Sequence, residues 1–366
     1  MTPALDGREL HVTQVSPTTY SRTSVIGGGE KYVVYVDHAL KRAAGAVRLT
    51  TSVLSFGAEP GTAYSDRAVE YEIIAGRPWD AASIEADELV GCLRRADVVY
   101  VHQCLTSVGL LVAAQARLLG KRVVGMDAGG GEDRLVQHCP ELARVYDAFH
   151  AVSEFALTAF RGFDVPVHLV PGPVDTDIFV PPTSPARGRR HVLAIGRIMP
   201  HKGFDRIVRA LPGSLHLTVV GAPYDEPYLE HLRDLARGKE VRFESGLDDA
   251  AVRTLLQSAG LFVHASTHLD YRGQYAAKPE LLGLAPLEAL SSGLPTLVSN
   301  AGALPELARL PGCRCFADDA ELAALLEAHA GGTLAPADPA VMHDAVASLY
   351  GPEAFGRGLL KVLGFA

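Results

Sequence analysis

Two glutamates separated by seven residues, Glu280 and Glu288, carry the strongest chemical signal in the sequence. Gly283 and Pro286 between them predict the start of a helix, because proline is tolerated in a first turn and helix amides can bind a phosphate. Glu288 could then accept hydrogen bonds from sugar hydroxyls. The pair could instead be exposed helix charges, but the surrounding leucines indicate an apolar wall, where an unpaired carboxylate is costly.

A predicted strand is followed by the turn Gly196–Gly203, which supplies two cations, Arg197 and Lys202. At the carboxyl end of a parallel strand, an arginine fork and a lysine ammonium can neutralise a diphosphate. The alternative is a pair of solvated surface charges, which is the usual state of these residue types.

Three consecutive glycines, Gly27–Gly29, stand between the first predicted strand and the helix that begins near Glu30. They let the backbone approach a ligand, and the helix offers free N–H groups to an anion. The spacing differs from the Gly-x-Gly-x-x-Gly of a dinucleotide-binding turn. Such a run can also form a simple tight turn.

The composition is that of a globular chain of about two domains. The 366 residues are 48% hydrophobic and 21% charged, with a formal net charge of −8. These values exclude a disordered chain and disfavour a nucleic-acid partner. The five cysteines show no disulfide framework, and Cys313 and Cys315 are expected to be packed residues rather than metal ligands.

Neither a secretory pattern at the start of the chain nor an apolar run as long as a membrane span occurs in the sequence. We therefore expect a cytoplasmic protein without membrane association.

Short apolar runs alternate with helical patterns, which predicts parallel α/β sheets covered by helices. Strands are predicted at 10–15, 47–56, 98–102, 122–126, 168–170, 192–196, 215–221, 241–244, 261–264 and 296–299. Helices are predicted at 30–42, 107–119, 154–160, 204–211, 228–237, 250–259 and 287–292. A Pro-rich segment at 171–186 is typical of a linker, so domains are expected at 1–178 and 187–349.

In type and order, these motifs resemble those of retaining glycosyltransferases of the GT-B fold, in the large family numbered four (group 1 type). The resemblance covers nearly the whole chain and rests on Gly27–Glu30, Pro171–Phe179, Gly196–Gly203, Gly246, Glu280–Glu288, Gly293–Pro295 and Gly302–Glu306. It implies two Rossmann-like α/β domains that face each other across a deep cleft. The first would be the acceptor side and the second would bind a nucleotide sugar, with a last helix at 350–366 returning to the first.

The resemblance implies roles for individual residues. Arg197 and Lys202 would hold the donor diphosphate, Glu280 would lie beside the donor sugar, and Glu288 would bind the ribose hydroxyls. The other donor-binding positions that it implies are Gly28, Gly29, Gly246, Leu247, Gly283, Leu284 and Ala285.

The reaction implied is sugar transfer from a UDP- or GDP-sugar with retention at the anomeric carbon. The leaving diphosphate would accept the proton of the acceptor, and Arg197 and Lys202 would stabilise its charge. Neither a metal ion nor a cofactor is expected. Asp175-Thr-Asp177 has the spacing of a metal motif, but it lies in the Pro-rich segment and is interpreted as structural.

The chain departs from the family pattern on the acceptor side. Ala128 stands where relatives often carry a histidine, which leaves Asp127 and His102 as candidates, Asp127 also as a catalytic residue. A lone histidine at a strand end is more often structural. Between Thr267 and Glu280 the chain is longer and more polar than in relatives; this stretch could shape substrate choice or be only a loop.

Three functions stay open: transfer to a small soluble acceptor, as in bacterial specialised metabolism; transfer to a lipid carrier or cell-envelope glycan; and nucleotide-sugar binding without catalysis. A helix predicted at 135–146 carries both charge signs and little apolar stripe, which favours the first over a membrane-associated enzyme. The identity of the sugar, nucleobase and acceptor stays open, and so does a homodimer.

Overall fold

Each half of the chain folds around its own β-sheet. A computed structural model describes residues 9–18, 28–45, 48–65, 67–129, 135–183, 188–335 and 337–365. The chain divides into unit 1, Met1–Pro173 with Pro352–Ala366, and unit 2, Val174–Gly351. The junction after Pro173 lies within the Pro-rich segment.

Unit 1 contains an eight-stranded sheet in the order β3-β4-β2-β1-β5-β6-β7-β8. Neighbouring strands are parallel except β3 and β4, which pair antiparallel at one edge. Its elements up to the junction are β1 (Leu10–Val15), α1 (Gly28–Ala43), β2 (Leu49–Gly57), β3 (Gly61–Tyr64), β4 (Glu70–Ala75), α2 (Ala86–Arg95), β5 (Val98–Val101), α3 (Ser107–Leu118), β6 (Arg122–Met126), α4 (Leu135–His138), β7 (Ala148–Ala151) and β8 (Val167–Leu169).

Unit 2 contains a six-stranded, all-parallel sheet in the order β11-β10-β9-β12-β13-β14. Its elements are β9 (Gly188–Ile195), α5 (Phe204–Ala210), β10 (His216–Val220), α6 (Glu226–Leu235), β11 (Val241–Glu244), α7 (Asp249–Ser258), β12 (Ala259–His264), α8 (Leu284–Ser291), β13 (Thr296–Ser299), β14 (Cys313–Phe316), α9 (Asp319–Ala330) and α10 (Pro339–Tyr350). The strand order reverses between β9 and β12, and ligands of open parallel sheets bind beyond the carboxyl ends of strands at such a point.

The sheet of unit 2 is covered on both faces, which explains its continuous apolar strands. Every residue of β12 is buried. Its Leu261 pairs in register with Val192 of β9, which in turn pairs with Leu217 of β10, and all three are fully buried in one core cluster. The central strands therefore form a rigid base for the loops at their carboxyl ends.

The last helix, α11 (Pro352–Leu363), belongs to unit 1 and packs against α1. Gly356 permits the close approach, because a Cβ there would lie 2.4 Å from the carbonyl oxygen of Ala39 and 2.5 Å from Cβ of Ala43. Near the end of α11, the carbonyl oxygen of Val362 accepts a hydrogen bond from the guanidinium of Arg122 at 2.9 Å.

Several local predictions were wrong in type. The helix predicted at 154–160 is a 3₁₀ helix at Ala156–Phe160. The helix predicted at 135–146 is the single turn α4 followed by a 3₁₀ helix at Pro140–Val145, because Pro140 cannot continue an α-helix. The sequence also missed several elements: β3, β4, β7, β14, α2, α9 and α10.

Two helical glycines allow a matched test of the contact between α1 and α11. Gly356→Ala should destabilise the protein by about 1–3 kcal/mol because its methyl group overlaps Ala39. Gly91→Ala, in the exposed part of α2 where no atom of the described residues lies within 4 Å of the new methyl group, should stabilise by about 0.5–1 kcal/mol. Calorimetric melting of both variants checks this, and a Gly356→Ala variant as stable as Gly91→Ala would contradict the contact.

Candidate functional site

The turn that follows β9 lies directly against the segment that follows β12. Gly203 ends the turn in the left-handed region at φ +67°, and a Cβ there would lie 2.1 Å from the carbonyl oxygen of Ala265. The backbone N–H of Thr267 donates to the carbonyl oxygen of His201 at 2.8 Å. Glycine at 203 is therefore required for the two segments to touch, and this contact positions Lys202.

Lys202 and Glu280 form an ion pair at the carboxyl ends of β9 and β12. The Lys202 Nζ lies 2.9 Å from Oε2 of Glu280 and also donates to the carbonyl oxygen of Pro279 at 3.2 Å. The exposed fractions of the two side chains are 12% and 16%. The structure thus brings together two residues that the sequence predicts to act at one site.

His264, the last residue of β12, is a third member of this cluster that the sequence analysis missed. Its Nε2 lies 2.8 Å from the same Oε2 of Glu280 and 3.1 Å from the hydroxyl of Ser266. The side chain is 5% exposed. A histidine that ends a buried strand just before the glutamate motif was the available signal, but its contact depends on how the later chain folds back.

The electrostatics favour an ionised Glu280. Burial by itself would raise the pKa of Glu280, but the charge of Lys202 and the hydrogen bond from His264 outweigh burial and hold it well below its usual range. Burial and the neighbouring cations Lys202 and Arg197 lower the pKa of His201 to about 4. At neutral pH the site therefore holds an ionised Glu280 and a neutral His201.

Arg197 lies on the exposed side of the same turn. Its guanidinium stands over the ring of Tyr224, with 5.2 Å between its central carbon and the ring centroid. Tyr224 follows β10 and its side chain is 44% exposed. An exposed, oriented guanidinium of this kind is suited to binding an anion.

Glu280 is fixed through its backbone by the loop after β13. The N–H of Ala303 donates to the carbonyl oxygen of Glu280 at 3.0 Å. Gly302, at φ +58°, allows this approach, because a Cβ there would lie 2.2 Å from that oxygen. The glycine of the Gly302–Glu306 motif therefore has a local packing role.

The second half of the glutamate motif forms the start of α8. Gly283 caps this helix in the left-handed region at φ +89°, so that Leu284 and Ala285 open its first turn. Among the described residues no side chain caps the helix, which leaves its first amides able to bind an anion. Glu288 lies in the second turn and is 3% exposed.

Gly246 and Leu247 lie in the loop between β11 and α7. Gly246 is exposed and has φ +70°, and Leu247 is partly buried. The loop follows the edge strand β11, which lies two strands away from β9 in the sheet order.

The stretch before Glu280, which we call the 267–279 segment, is bound to its surroundings at several points. Arg272 binds Asp225 through both terminal nitrogens, at 2.8 and 3.0 Å. His268 donates from Nδ1 to Ala276 at 3.0 Å and accepts at Nε2 from the backbone of Gly302 at 3.2 Å. The segment is therefore anchored on both sides, and one anchor reaches the loop that holds Glu280.

An aromatic surface of this segment faces outward. The ring of Tyr275 stacks on His268 with centroids 5.8 Å apart. The side chains of Tyr275 and Leu269 are 72% and 61% exposed.

In unit 1, the predicted acceptor-side residues cluster after β5 and β6. Asp127 follows β6, is 4% exposed and accepts from the N–H of Gly129 at 2.9 Å. The next N–H, of Ala128, donates to the side-chain oxygen of Gln103 at 3.0 Å. A Cβ added to Gly29 would lie 3.9 Å from the side-chain nitrogen of Gln103, so the start of α1 adjoins this cluster.

Gly28 and Gly29 are the first residues of α1, and Gly27 lies outside the described residues.

His102 is a buried, neutral residue in this structure. It is 2% exposed, and its Nε2 hydrogen-bonds the side-chain oxygen of Gln14 at 3.0 Å. Burial, with a smaller effect of His150, lowers the pKa of His102 to about 3. Within the described part of the chain, neither Nδ1 of His102 nor the amide nitrogen of Gln14 has a hydrogen-bond partner.

Comparison with known proteins assigns most of unit 2 to a family. Residues 177–328 match the family model described as "Glycosyl transferases group 1". This part of the chain belongs to that family. The match includes Arg197, Lys202, Glu280 and Glu288 and ends within α9. The residues that cluster around Glu280 therefore lie inside the group 1 domain.

Curated relatives extend the similarity toward unit 1. The chain is 30% identical to MMP alpha-(1->4)-mannosyltransferase of Mycolicibacterium hassiacum over 276 residues, 71% of this chain and 62% of the relative. It is 32% identical to GDP-mannose-dependent alpha-(1-6)-phosphatidylinositol monomannoside mannosyltransferase of Mycobacterium tuberculosis over 54% of this chain and 56% of the relative. The matches thus span less than two thirds of the length of these relatives.

Solved structures confirm the predicted fold for nearly the whole chain. The Anabaena protein HepE, solved with UDP and glucose, superimposes with a TM-score of 0.73 over 98% of this chain and 100% of its own, at 16% identity. The prediction of a GT-B fold with two parallel-sheet α/β domains is confirmed.

The described residues contain no group of three or more His, Cys, Asp or Glu side chains placed to hold a metal ion. In the same residues, no helix combines the length and the apolar character needed to cross a membrane.

The pKa of Glu280 predicts a pH-dependent contribution to stability. Because the folded pKa is lowered, the ionised form favours folding above the unfolded pKa of about 4.3, and this contribution is lost as pH falls. The melting temperature of the wild type minus that of Glu280→Gln should be constant between about pH 6 and 8 and decrease below about pH 5. Calorimetry over this range, with the exposed Glu240→Gln as control, checks it; a difference that grows on acidification would contradict the ionised state.

Proposed function

We propose that this protein is a retaining glycosyltransferase that moves a sugar from a nucleoside diphosphate sugar to a small soluble acceptor. The observation that carries the proposal is the Lys202–Glu280 pair within the group 1 domain. It joins a cation suited to a diphosphate with an ionised carboxylate suited to sugar hydroxyls, beside a helix start with open amides.

In the proposed reaction the bond between the anomeric carbon and the donor phosphate oxygen breaks, and its electron pair stays on the diphosphate. The acceptor oxygen forms the new bond on the same face of the sugar, and its proton passes to the leaving diphosphate. Lys202 and Arg197 stabilise the charge that develops on that group. The products are a glycoside of retained configuration and a nucleoside diphosphate.

Other residues are proposed to bind the donor. The amides at Gly283, Leu284 and Ala285 contact the sugar or a phosphate, and Glu288 binds the ribose. The loop at Gly246 and Leu247 lies beside the nucleobase.

In unit 1, the start of α1 at Gly28 and Gly29 contacts phosphate, and Asp127 and His102 serve the acceptor. Because His102 is neutral and buried, it acts as a hydrogen-bonding group rather than as a cation.

The 267–279 segment is proposed to select the substrate. Its anchor from His268 to Gly302 ties it to the loop that holds Glu280, and its exposed Tyr275 offers a ring on which a sugar or other planar group can stack.

Transfer to a lipid-linked acceptor is the second candidate. It is favoured by the similarity to relatives named phosphatidylinositol monomannoside mannosyltransferases. The helix predicted at 135–146, with both charge signs and little apolar stripe, is the single turn α4 followed by a 3₁₀ helix at Pro140–Val145, and this favours the small acceptor. Co-sedimentation with vesicles that contain phosphatidylinositol separates the two.

The donor is identified by thermal shift with UDP-glucose, GDP-mannose and the corresponding free diphosphates. A ligand at 100 times its dissociation constant stabilises the protein by about 2.7 kcal/mol, which is readily measured. The stabilising donor is then incubated with candidate acceptors, and the anomeric configuration of the product is read by NMR. Binding without transfer to any acceptor would favour a non-catalytic sugar-binding protein, and an inverted product would contradict retention.

The two glutamates are expected to differ in kinetics. Glu288→Gln should raise the donor KM more than it lowers kcat, because a ribose contact is shared by the ground state and the transition state. Glu280→Gln should lower mainly kcat, because this carboxylate lies beside the reacting sugar. Steady-state kinetics with the donor varied check this, at a temperature well below the melting temperature of each variant. A change below about threefold in both would remove the glutamate motif from the mechanism.

Metal independence is also predicted, because two cations can neutralise the leaving diphosphate. Activity should be unchanged in EDTA and should not rise with Mg²⁺ or Mn²⁺. Initial rates with and without chelator measure it. Loss of activity in EDTA that is restored by either ion would contradict this account of the phosphate site.

A further inference from the structure

His264 contacts the candidate catalytic carboxylate, yet the proposed reaction gives it no part. It ends β12, the strand next to β9 in the sheet, and its side chain is almost fully buried. A carboxylate oxygen can only accept a hydrogen bond, so Nε2 of His264 must carry the proton that points at Glu280. The hydroxyl of Ser266, 3.1 Å from the same nitrogen, lies close enough to share that proton.

The two oxygens of Glu280 are not equivalent. Lys202 and His264 both bind Oε2, at 2.9 and 2.8 Å. Among the described residues, no hydrogen bond reaches Oε1, although the side chain is 16% exposed. One oxygen is therefore held by the protein from two sides, and the other is left for a ligand.

Lys202 is also incompletely used. An ammonium has three N–H donors, and Lys202 directs two of them to Pro279 and Glu280. The third donor can bind a phosphate oxygen without breaking the contact with Glu280. This holds only while Glu280 keeps its orientation, because a carboxylate that turned toward Lys202 could occupy the third donor as well.

We propose that His264 is a positioning residue that fixes Oε2 of Glu280, so that Oε1 faces the donor sugar and Lys202 keeps one donor for the diphosphate. The proposal rests on the function proposed above and adds a residue to it. Without His264, the orientation of Glu280 depends on Lys202 alone. Glu280 can then occupy the donor of Lys202 that would otherwise bind the diphosphate.

Two substitutions at this position separate positioning from packing. His264→Leu fills the buried space but removes the N–H. His264→Gln places an amide N–H near the position of Nε2 and should restore the contact. His191→Leu is a matched control, because His191 is a strand histidine of the same sheet, nearer the start of β9, whose Nε2 lies 2.9 Å from the hydroxyl of Thr218.

With the donor that stabilises the wild type, His264→Leu should lower kcat by about 10- to 100-fold, the usual effect of losing one hydrogen bond to a charged group. Its donor KM and its dissociation constant for the free nucleoside diphosphate in calorimetry should rise by about 2- to 10-fold, because Glu280 can then occupy the third donor of Lys202. His264→Gln should recover most of kcat. His191→Leu should match the wild type in kcat.

An unchanged kcat in His264→Leu, or a loss equal to that of His191→Leu, would overturn the positioning role. So would a His264→Gln variant that melts like the wild type but stays as slow as His264→Leu.

If His264→Leu does not fold, His264→Asn replaces it, because its amide is one methylene shorter and cannot reach Oε2. The proposal then requires His264→Gln to exceed His264→Asn in kcat at least about tenfold, and equal rates would overturn it. A wild type that transfers sugar while the histidine variants behave alike contradicts this inference alone. A wild type that transfers no sugar from any donor contradicts the proposed function and this inference with it.

Discussion

A charged carboxylate that is largely buried is the constraint on which the candidate site depends. Glu280 can remain ionised there because Lys202 and His264 bind the same oxygen. These three residues come from different parts of unit 2: the turn after β9, the end of β12 and the segment before α8. Losing one partner of a buried charge is strongly destabilising, so the three segments are coupled to one another.

The close packing around this cluster explains why glycine occurs where it does. Gly203 lets the turn after β9 touch the carbonyl of Ala265, and Gly302 lets the loop after β13 touch the carbonyl of Glu280. Both residues have positive φ, which most side chains disfavour. Backbone contacts therefore fix the segments that form the site, and these segments set the positions of the charged side chains.

The two units solve different electrostatic problems. Unit 2 keeps charges near its strand ends and compensates them with partners, as in Lys202 and Glu280. At the candidate acceptor residues of unit 1, burial instead lowers the pKa of His102 to about 3 and that of the neighbouring His150 to about 4. A nucleoside diphosphate carries several charges, whereas an acceptor hydroxyl is neutral, and this difference fits the proposed division of labour between donor and acceptor residues.

The sequence by itself determined the fold class, the strands 10–15, 122–126, 241–244 and 296–299, and the motif residues Lys202 and Glu280, because apolar runs and motif spacing are local properties of the chain. It did not reveal β3, β4 or β7, which are short strands with weak patterns, and it predicted that the helix at 135 continues past Pro140, where the structure has a 3₁₀ helix. Only the tertiary structure decided that His264 shares an oxygen of Glu280 with Lys202. That contact joins residues up to 78 positions apart, and a distance of this kind is set by how β9, β12 and the 267–279 segment pack rather than by any local pattern.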